Sequence, residues 1–449
     1  MKNQLRSDEK VWDTTQEVEA MLGPSATAMQ WLGLWQPPGG APVGAKVLVT
    51  ASVLVMMLTV LLGGLAEVAL HPPPLEDILD AVFTCACSFT WGFRILVILL
   101  RQSRVQQLVV DVLNMRKRFT ENAAIIRKQY QRRALIVCLA WVAFPTLAIP
   151  MWFVEPALTK KEVTISQNTT IVIRKTPFIM WSPMETQTHP NYEILYVTQV
   201  SILIVVVSVT VIVDLFFACL MISITADIDI LNNNIANMRL QKEDGFTKNS
   251  ETGVKISGTW GTTYKSEKSL ADKFERYDDN TEVHTLYSAD TSEQLYRTLA
   301  MNIQHHQTLM SIIGDLESIM SESSVLMISV NSINICLQAF GFVDGFRPGA
   351  KKSTVLKKVL TFPAYINQTA HFCWLGQAII DQSDRLLDSA FGCGWADADP
   401  RFCSALRVFM LQASRPLKLQ IGKIFTLSRN LFLQILNTSY TIFNMMINF

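Results

Sequence analysis

Residues 435–449 read ILNTSYTIFNMMINF, an apolar helix-forming stretch with Asn437, Thr441, Asn444 and Asn448 at spacings of 4, 3 and 4. At 3.6 residues per turn those spacings put all four on one face. Stepping back by the same rhythm adds Gln434, Asn430 and Thr426, so the polar stripe runs for about six turns. Lipid cannot satisfy such a stripe, and the reading of the chain turns on what it faces.

The composition sets the class. Of 449 residues, 49% are hydrophobic and 17% charged, against about 25% charged in a soluble domain. The net charge of +1 argues against a nucleic-acid partner, which would call for a basic face or tail. MKNQLRSDEK at the start mixes both signs of charge and has no short apolar core, so no signal peptide is expected. The eight cysteines include no CxxC pair and fall mostly in apolar runs, which disfavours a disulfide framework or a metal site.

A hydrocarbon core about 30 Å thick needs about 20 apolar helical residues. Candidate spans lie at 47–70, 76–100, 134–154, 195–225, 324–343, 359–380 and 424–447. The fold class is therefore all-α membrane protein with seven transmembrane helices. In the fifth span Asn331, Asn334 and Gln338 share one face, which should meet another helix rather than lipid.

Short loops set the orientation. The loop 101–133 carries nine Lys and Arg against Asp111 and Glu121, which places it inside. The loop after the third span has balanced charge and the sequon Asn168-Thr169-Thr170, the expected glycosylation site, on the outside. The sequons at Asn367 and Asn437 fall within spans. One loop disagrees: FRPGAKKSTVLKK (346–358) is basic and would lie outside. The stronger signal gives a cytoplasmic N-terminus and an extracellular C-terminus, opposite to a G-protein-coupled receptor; no DRY-like triplet or NPxxY supports that alternative.

The expected organisation follows. Residues 1–46 form a cytoplasmic N-terminal segment and 47–225 the first four spans. Residues 226–323 form a cytoplasmic segment, disordered over about 242–292 and then helical. Residues 324–380 hold spans five and six, 381–423 a cytoplasmic anchor helix broken at Pro416, and 424–449 the last helix, so that the seventh helix is split in two.

Catalytic motifs are missing. There is no GxSxG and no HExxH, and GAKKST lacks the glycine spacing of a phosphate loop. His305 and His306 point about 100° apart on a helix and cannot form an i, i+4 ligand pair. No catalytic residue, metal or cofactor is expected. Two ionisable residues, Arg94 and Asp214, lie deep inside spans, where charge is costly and marks functional candidates.

Three stretches carry a resemblance. AMQWLGLWQP (28–37), HFCWLGQAIIDQSDRLLDSAFGCGW (371–395) and GKIFTLSRNLFLQILNTSYTIFNMM (422–446) resemble segments of insect odorant receptors, seven-span ligand-gated cation channels. Gustatory receptors share that architecture, but their Thr-Tyr-x5-Gln-Phe ending is absent. The resemblance implies a tetramer around one pore lined by the outer half of each last helix, in the plasma membrane of an olfactory neuron's dendrite. It implies Met445 at the constriction, Thr441 one turn below, Asn448 and Phe449 at the outer mouth, and Asn437 and Asn444 along the pore. It also implies a pocket for a small volatile odorant in the outer half of the bundle. The candidate lining is Phe83 and Cys87; Phe144, Ala148 and Trp152; Tyr196, Gln199 and Val200; Tyr365, Thr369 and Phe372. Occupancy should bias span six and then, through the break near Pro416 or by direct packing, the last helix. The partners implied are identical subunits or an odorant receptor co-receptor. A secondary transporter would require inverted repeats and broken mid-membrane helices, which the sequence lacks.

Overall fold

The computed structural model describes residues 17–36, 44–71, 75–119, 123–158, 160–166, 169–238, 281–344, 352–396 and 398–448. In chain order these form α1 (Pro24–Trp31), α2 (Gly44–Leu70), α3 (Leu75–Leu100), α4 (Gln102–Arg118) and α5 (Ala123–Leu158). An antiparallel hairpin follows, β1 (Lys160–Ser166) with β2 (Thr169–Arg174). Then come α6 (Asn191–Ala236), α7 (Thr281–Asp344), α8 (Lys352–Phe391) and α9 (Pro400–Ala413). A second hairpin, β3 (Gln420–Ile421) with β4 (Phe425–Thr426), leads into α10 (Arg429–Asn448).

Among the described residues, five helices are long and apolar enough to cross a membrane: Leu48–Leu70, Asp77–Leu100, Ala123–Ala157, Asn191–Ala236 and Ser292–Val343. The sixth and seventh expected spans correspond to α8 and α10. They have the length, 40 and 20 residues, but are too polar to pass the same test. That polarity has a use at each place, described below.

Helix α6 has 46 residues and α7 has 64, so they extend about 69 Å and 96 Å. A hydrocarbon core is only about 30 Å thick, so both run well beyond it, at the end of the bundle that holds α9. Along α6 nearly every residue from Phe216 to Asn232 is buried, which makes it the axis on which α5, α7 and α8 pack. Its first half is one-sided, with Val197 and Ile204 exposed opposite buried Ile202 and Val206. At the α9 end Asp227 accepts from Arg116 Nε at 2.9 Å and Arg127 Nη2 at 3.4 Å, so part of the basic 101–133 loop is folded inward onto α6.

Two boundaries differ from expectation. Residues 239–280 lie outside the described residues, but α7 already begins at Thr281 rather than after about 292. A helix anchored in the core lengthens into water at little cost, because each added residue brings one more hydrogen bond. The last helix starts at Arg429 rather than at 424. Residues 424–428 belong to the β3–β4 hairpin, closed by Ile424 N–H to the Ile421 carbonyl at 3.3 Å. Its two central residues, Gly422 and Lys423, have φ of 61° and 59°, the left-handed pair that a type I′ turn requires. The break after α9 is tied down by Leu417 N–H donating to Ser383 Oγ at 2.8 Å.

Gly376 sits where α8 meets the start of the last helix. A Cβ there would lie 2.5 Å from the Leu427 carbonyl oxygen and 2.6 Å from Leu427 Cβ. We expect Gly376→Ala to force the two segments apart at a cost of about 1–3 kcal/mol, read as a lower melting temperature of the detergent-solubilised protein and less of it at the cell surface. An unchanged melt would mean that this crossing does not bear on stability.

Candidate functional site

Five helices and one loop line an apolar cavity of about 120 Å³, α2 contributing Val60 alone. Its wall comes from α3 (Phe83, Cys87, Ser88, Trp91), α5 (Trp141, Pro145, Ala148, Trp152) and the first half of α6 (Ile202 to Asp214). It is completed by the start of α8 (Thr361, Tyr365, Gln368) and by Phe178 after β2. It therefore lies in the half of the bundle nearer the β1–β2 hairpin.

Trp152 organises the upper wall. Its ring stacks on Phe83 at 5.5 Å and 18°, and Phe83 meets Tyr365 edge-on at 5.2 Å. Its Nε1 donates to Thr361 Oγ1 at 3.1 Å, and Lys357 Nζ lies 3.9 Å from its ring centroid, a cation–π contact. Below, Tyr365 Oη and Cys87 Sγ are 3.0 Å apart, and Asn334 Nδ2 reaches the same sulfur at 3.4 Å.

A second, polar cavity of about 500 Å³ lies beside the first and shares Thr84, Trp152 and Phe178 with it. Its walls include Asp77, Asp80, Glu155, Lys175 and Lys357. Lys357 is buried between Asp80 at 3.1 Å and Glu155 at 4.0 Å, Lys358 also pairs with Asp80, and Lys175 pairs with Asp77 at 3.1 Å. Two of the lysines in FRPGAKKSTVLKK, Lys357 and Lys358, are thus neutralised by carboxylates of the bundle and are not free loop charge.

The floor of the apolar cavity is ionic. Arg94 and Asp214, 3% and 0% exposed, form a salt bridge through Arg94 Nη1 and Asp214 Oδ1. The guanidinium lies 5.1 Å from the Phe372 ring centroid and 5.8 Å from that of Phe217. The second carboxylate oxygen accepts from Gln368 Nε2 at 2.8 Å, and Gln368 Oε1 accepts from Asn331 Nδ2 at 3.1 Å. The next residue, Ser332, has its Oγ 3.2 Å from Ser439 Oγ on α10, and Ser439 Oγ also donates to the Ser332 carbonyl at 3.1 Å. A chain of polar contacts thus runs from the cavity floor through α8 and α7 to the last helix.

On α10 the two faces differ. Leu431, Ile435 and Ser439 are buried against the bundle, as is Leu427 just before the helix. Asn430, Gln434, Asn437 and Thr441 are exposed, Asn444 is half-buried, and Met445 is 61% exposed. The stripe read from the sequence therefore faces away from its own chain.

Of the eleven expected pocket residues, Phe83, Cys87, Ala148, Trp152 and Tyr365 line the apolar cavity. Phe144 and Val200 are half-buried outside it, and Tyr196 donates its hydroxyl to the Phe153 carbonyl. Gln199 accepts from Phe178 N–H at 3.3 Å, Thr369 accepts from Asn331 at 3.2 Å, and Phe372 packs on Arg94. On α6 the ridge of 196, 199 and 200 continues to 203, 206 and 210, one to two turns deeper, where the lining of this cavity begins. Trp91 and Trp141 were not anticipated, although Trp91 follows from Phe83 and Cys87 by the same step of four. Asn168 and Phe449 lie outside the described residues, as does the side chain of Asn448.

These features define a class: a multi-pass helical membrane protein with a ligand-sized apolar cavity and, among the described residues, no group of His, Cys, Asp and Glu able to hold a metal. A family model described as 7tm Odorant receptor matches residues 74–440. The chain belongs to the odorant receptor family, which is a receptor family and not one of enzymes. It is 28% identical to odorant receptor 85c of Drosophila melanogaster over 147 residues, 33% of this chain and 37% of that one. With the odorant receptor coreceptor of the same species it shares 26% over 80 residues, 18% of this chain and 16% of that one. These matches span well under half of the relatives' lengths. The fold is similar to that of the olfactory receptor OR5 from Machilis hrabei in complex with eugenol, with a TM-score of 0.69, 12% identity and 98% of each chain covered. A second structure of the same receptor gives a TM-score of 0.67 at 14% identity, covering 99% of this chain and 98% of that one.

Removing one partner of a buried pair strands the other charge, at a cost of about 3–5 kcal/mol, while an apolar pair of similar volume is tolerated. We expect Asp214→Ala to lose most folded protein at the surface, and Arg94→Met with Asp214→Leu to recover much of it. Surface biotinylation and thermal melts read both. Equal loss in the single and double variants would show that the pair does more than balance charge.

Proposed function

We propose that this chain is a subunit of an odorant-gated, non-selective cation channel. One observation carries the reading: α10 buries its apolar face and presents a polar face, Asn430 to Thr441, away from its own subunit. In a bilayer that face needs water, and several copies set around an axis would supply it as a pore. Met445 interrupts the polar stripe with an exposed apolar side chain near the end of the helix, a place where a ring of thioethers could gate by dewetting. Asn437, Thr441, Asn444 and Asn448 line the conduction path in this reading, with Phe449 at the mouth.

The apolar cavity is the odorant site. Its aromatic lining suits a one-ring or short-chain volatile, and the eugenol held by OR5 is a molecule of that kind. The N-terminus is cytoplasmic and the hairpin end extracellular, supported by the neutralised lysines 357 and 358 and by the sequon at Asn168. The subunit assembles as a tetramer, with identical copies or with a co-receptor, in the plasma membrane of olfactory dendrites.

A ligand opens such a pore only by binding the open state more tightly than the closed one. Here coupling runs through α7, by way of Asp214, Gln368, Asn331, Ser332 and Ser439, rather than through the break at Pro416.

Whole-cell recording from cells expressing the chain, alone and with a co-receptor, tests the channel directly. Odorants should evoke a cation current without G-protein dependence; silence in both settings refutes it. Met445→Cys should make that current sensitive to a methanethiosulfonate reagent applied outside, and insensitivity in a conducting variant would remove Met445 from the pore. For the coupling route, Ser332→Ala and Ser439→Ala should each shift the odorant concentration for half-activation, and together fall short of additivity by about 0.5–3 kcal/mol. Additive shifts would leave the route without support.

A further inference from the structure

The buried polar groups of the apolar cavity are not evenly used. Its carboxylate and amide oxygens are taken. Both oxygens of Asp214 receive hydrogen bonds, from Arg94 and Gln368, and Gln368 Oε1 receives Asn331. Thr361 Oγ1 accepts from Trp152 while donating to the Lys357 carbonyl, and the Thr210 hydroxyl donates its proton to the Val206 carbonyl at 2.9 Å, so neither proton is left for a ligand. Tyr365 Oη is engaged with Cys87.

What is left over donates. Trp141 is 4% exposed, lines the cavity, and its Nε1 is buried with no partner. Indole N–H can donate and cannot accept, so only an incoming acceptor satisfies it, and a buried donor left without one is a cost. The ring is held in place by stacking on His371 at 5.4 Å and 24°. Ser88, 6% exposed and also in the wall, does not return its hydroxyl to its own helix as its neighbours Thr84 and Thr90 do, each at 2.8 Å.

We propose that the cavity selects small one-ring or short-chain ligands that carry a hydrogen-bond acceptor, a carbonyl or ether oxygen, and holds that oxygen at the N–H of Trp141 with the Ser88 hydroxyl beside it. This rests on the reading of the cavity as the odorant site. The size agrees, since an engineered apolar cavity of about 150 Å³ takes one benzene, against about 120 Å³ here. A site that offers a buried donor rejects an isostere lacking the acceptor, because the donor is then left unpaired in the complex.

The test uses the full chain, with a co-receptor where current requires it, and shape-matched ligand pairs: benzaldehyde with styrene, acetophenone with α-methylstyrene, 2-hexanone with 2-methyl-1-hexene. The oxygen-bearing member should be about tenfold more potent, the effect of one hydrogen bond, and Trp141→Phe should bring the ratio close to one. Should Trp141→Phe not reach the surface, the benzothiophene analogue of tryptophan placed at 141 keeps the ring and deletes the N–H. Hydrocarbons as potent as their oxygen-bearing partners, or a preference that survives loss of the N–H, would overturn the assignment while leaving the channel standing. No current from any ligand of a broad panel would overturn the odorant-site reading and this inference with it.

Discussion

Arg94 and Asp214 are the constraint on which the rest of the bundle depends. Neither charge can sit at membrane depth alone, so each must find the other. The contact sets α3 and α6 at one depth relative to each other. Gln368 then brings α8 to the same level through the free carboxylate oxygen, and Met327 Sδ on α7 lies 3.2 Å from the guanidinium. Four helices are thereby referenced to one ion pair, and the level they share is the floor of the apolar cavity. A purely apolar bundle could slide by a turn with little penalty, since lipid tails compete equally for every apolar face. With the pair in place such a slide would strand two charges.

Polarity that makes α8 and α10 poor membrane spans has different purposes in the two helices. In α8 it is turned inward: Lys357 and Lys358 meet Asp80, Thr361 holds Trp152, and Gln368 meets Asp214. Each of these four is paired within the chain, and an unpaired one would be expensive there. In α10 Asn430, Gln434, Asn437 and Thr441 are turned outward on the exposed face, so in a bilayer that face needs water or another subunit beside it. Hydropathy alone scores the two alike; only the direction of the side chains separates a helix that is finished from one that is not.

The same distinction explains what could be read from the sequence. Periodic features were legible, because spacing alone fixes a helical face. The stripe on the last helix lies on one exposed face, and Asn331, Asn334 and Gln338, all at most 3% exposed, look inward as their spacing requires. Depth was not legible. Tyr196, Gln199 and Val200 lie on the ridge of α6 that lines the apolar cavity but nearer the helix start than the lining, because nothing local says how far down a neighbour's cavity begins. Pairing was not legible either: Arg94 and Asp214 are 120 residues apart in sequence, and each stood out as an isolated cost rather than as half of a contact. The basic loop at 346–358 is another such case, as a count of charges treats a buried, neutralised lysine like a free one.

Gln368 at the cavity floor and Ser439 on the last helix meet different faces of α7, and the adjacency of Asn331 and Ser332 matters for that reason. Consecutive helical residues point about 100° apart, so one can face the cavity floor while the other faces α10. A rotation or shift of α7 by a fraction of a turn would disturb both contacts at once, where a slack apolar interface would absorb it. Polar contacts in a low-dielectric interior are costly to break halfway, which favours two discrete arrangements over a continuum. In the proposed odorant-gated channel, ligand bound above Asp214 and Gln368 would act on a floor that is itself one end of the contact chain to Ser439. Differential affinity for the two arrangements is then all that is required for the occupied cavity to bias the last helix.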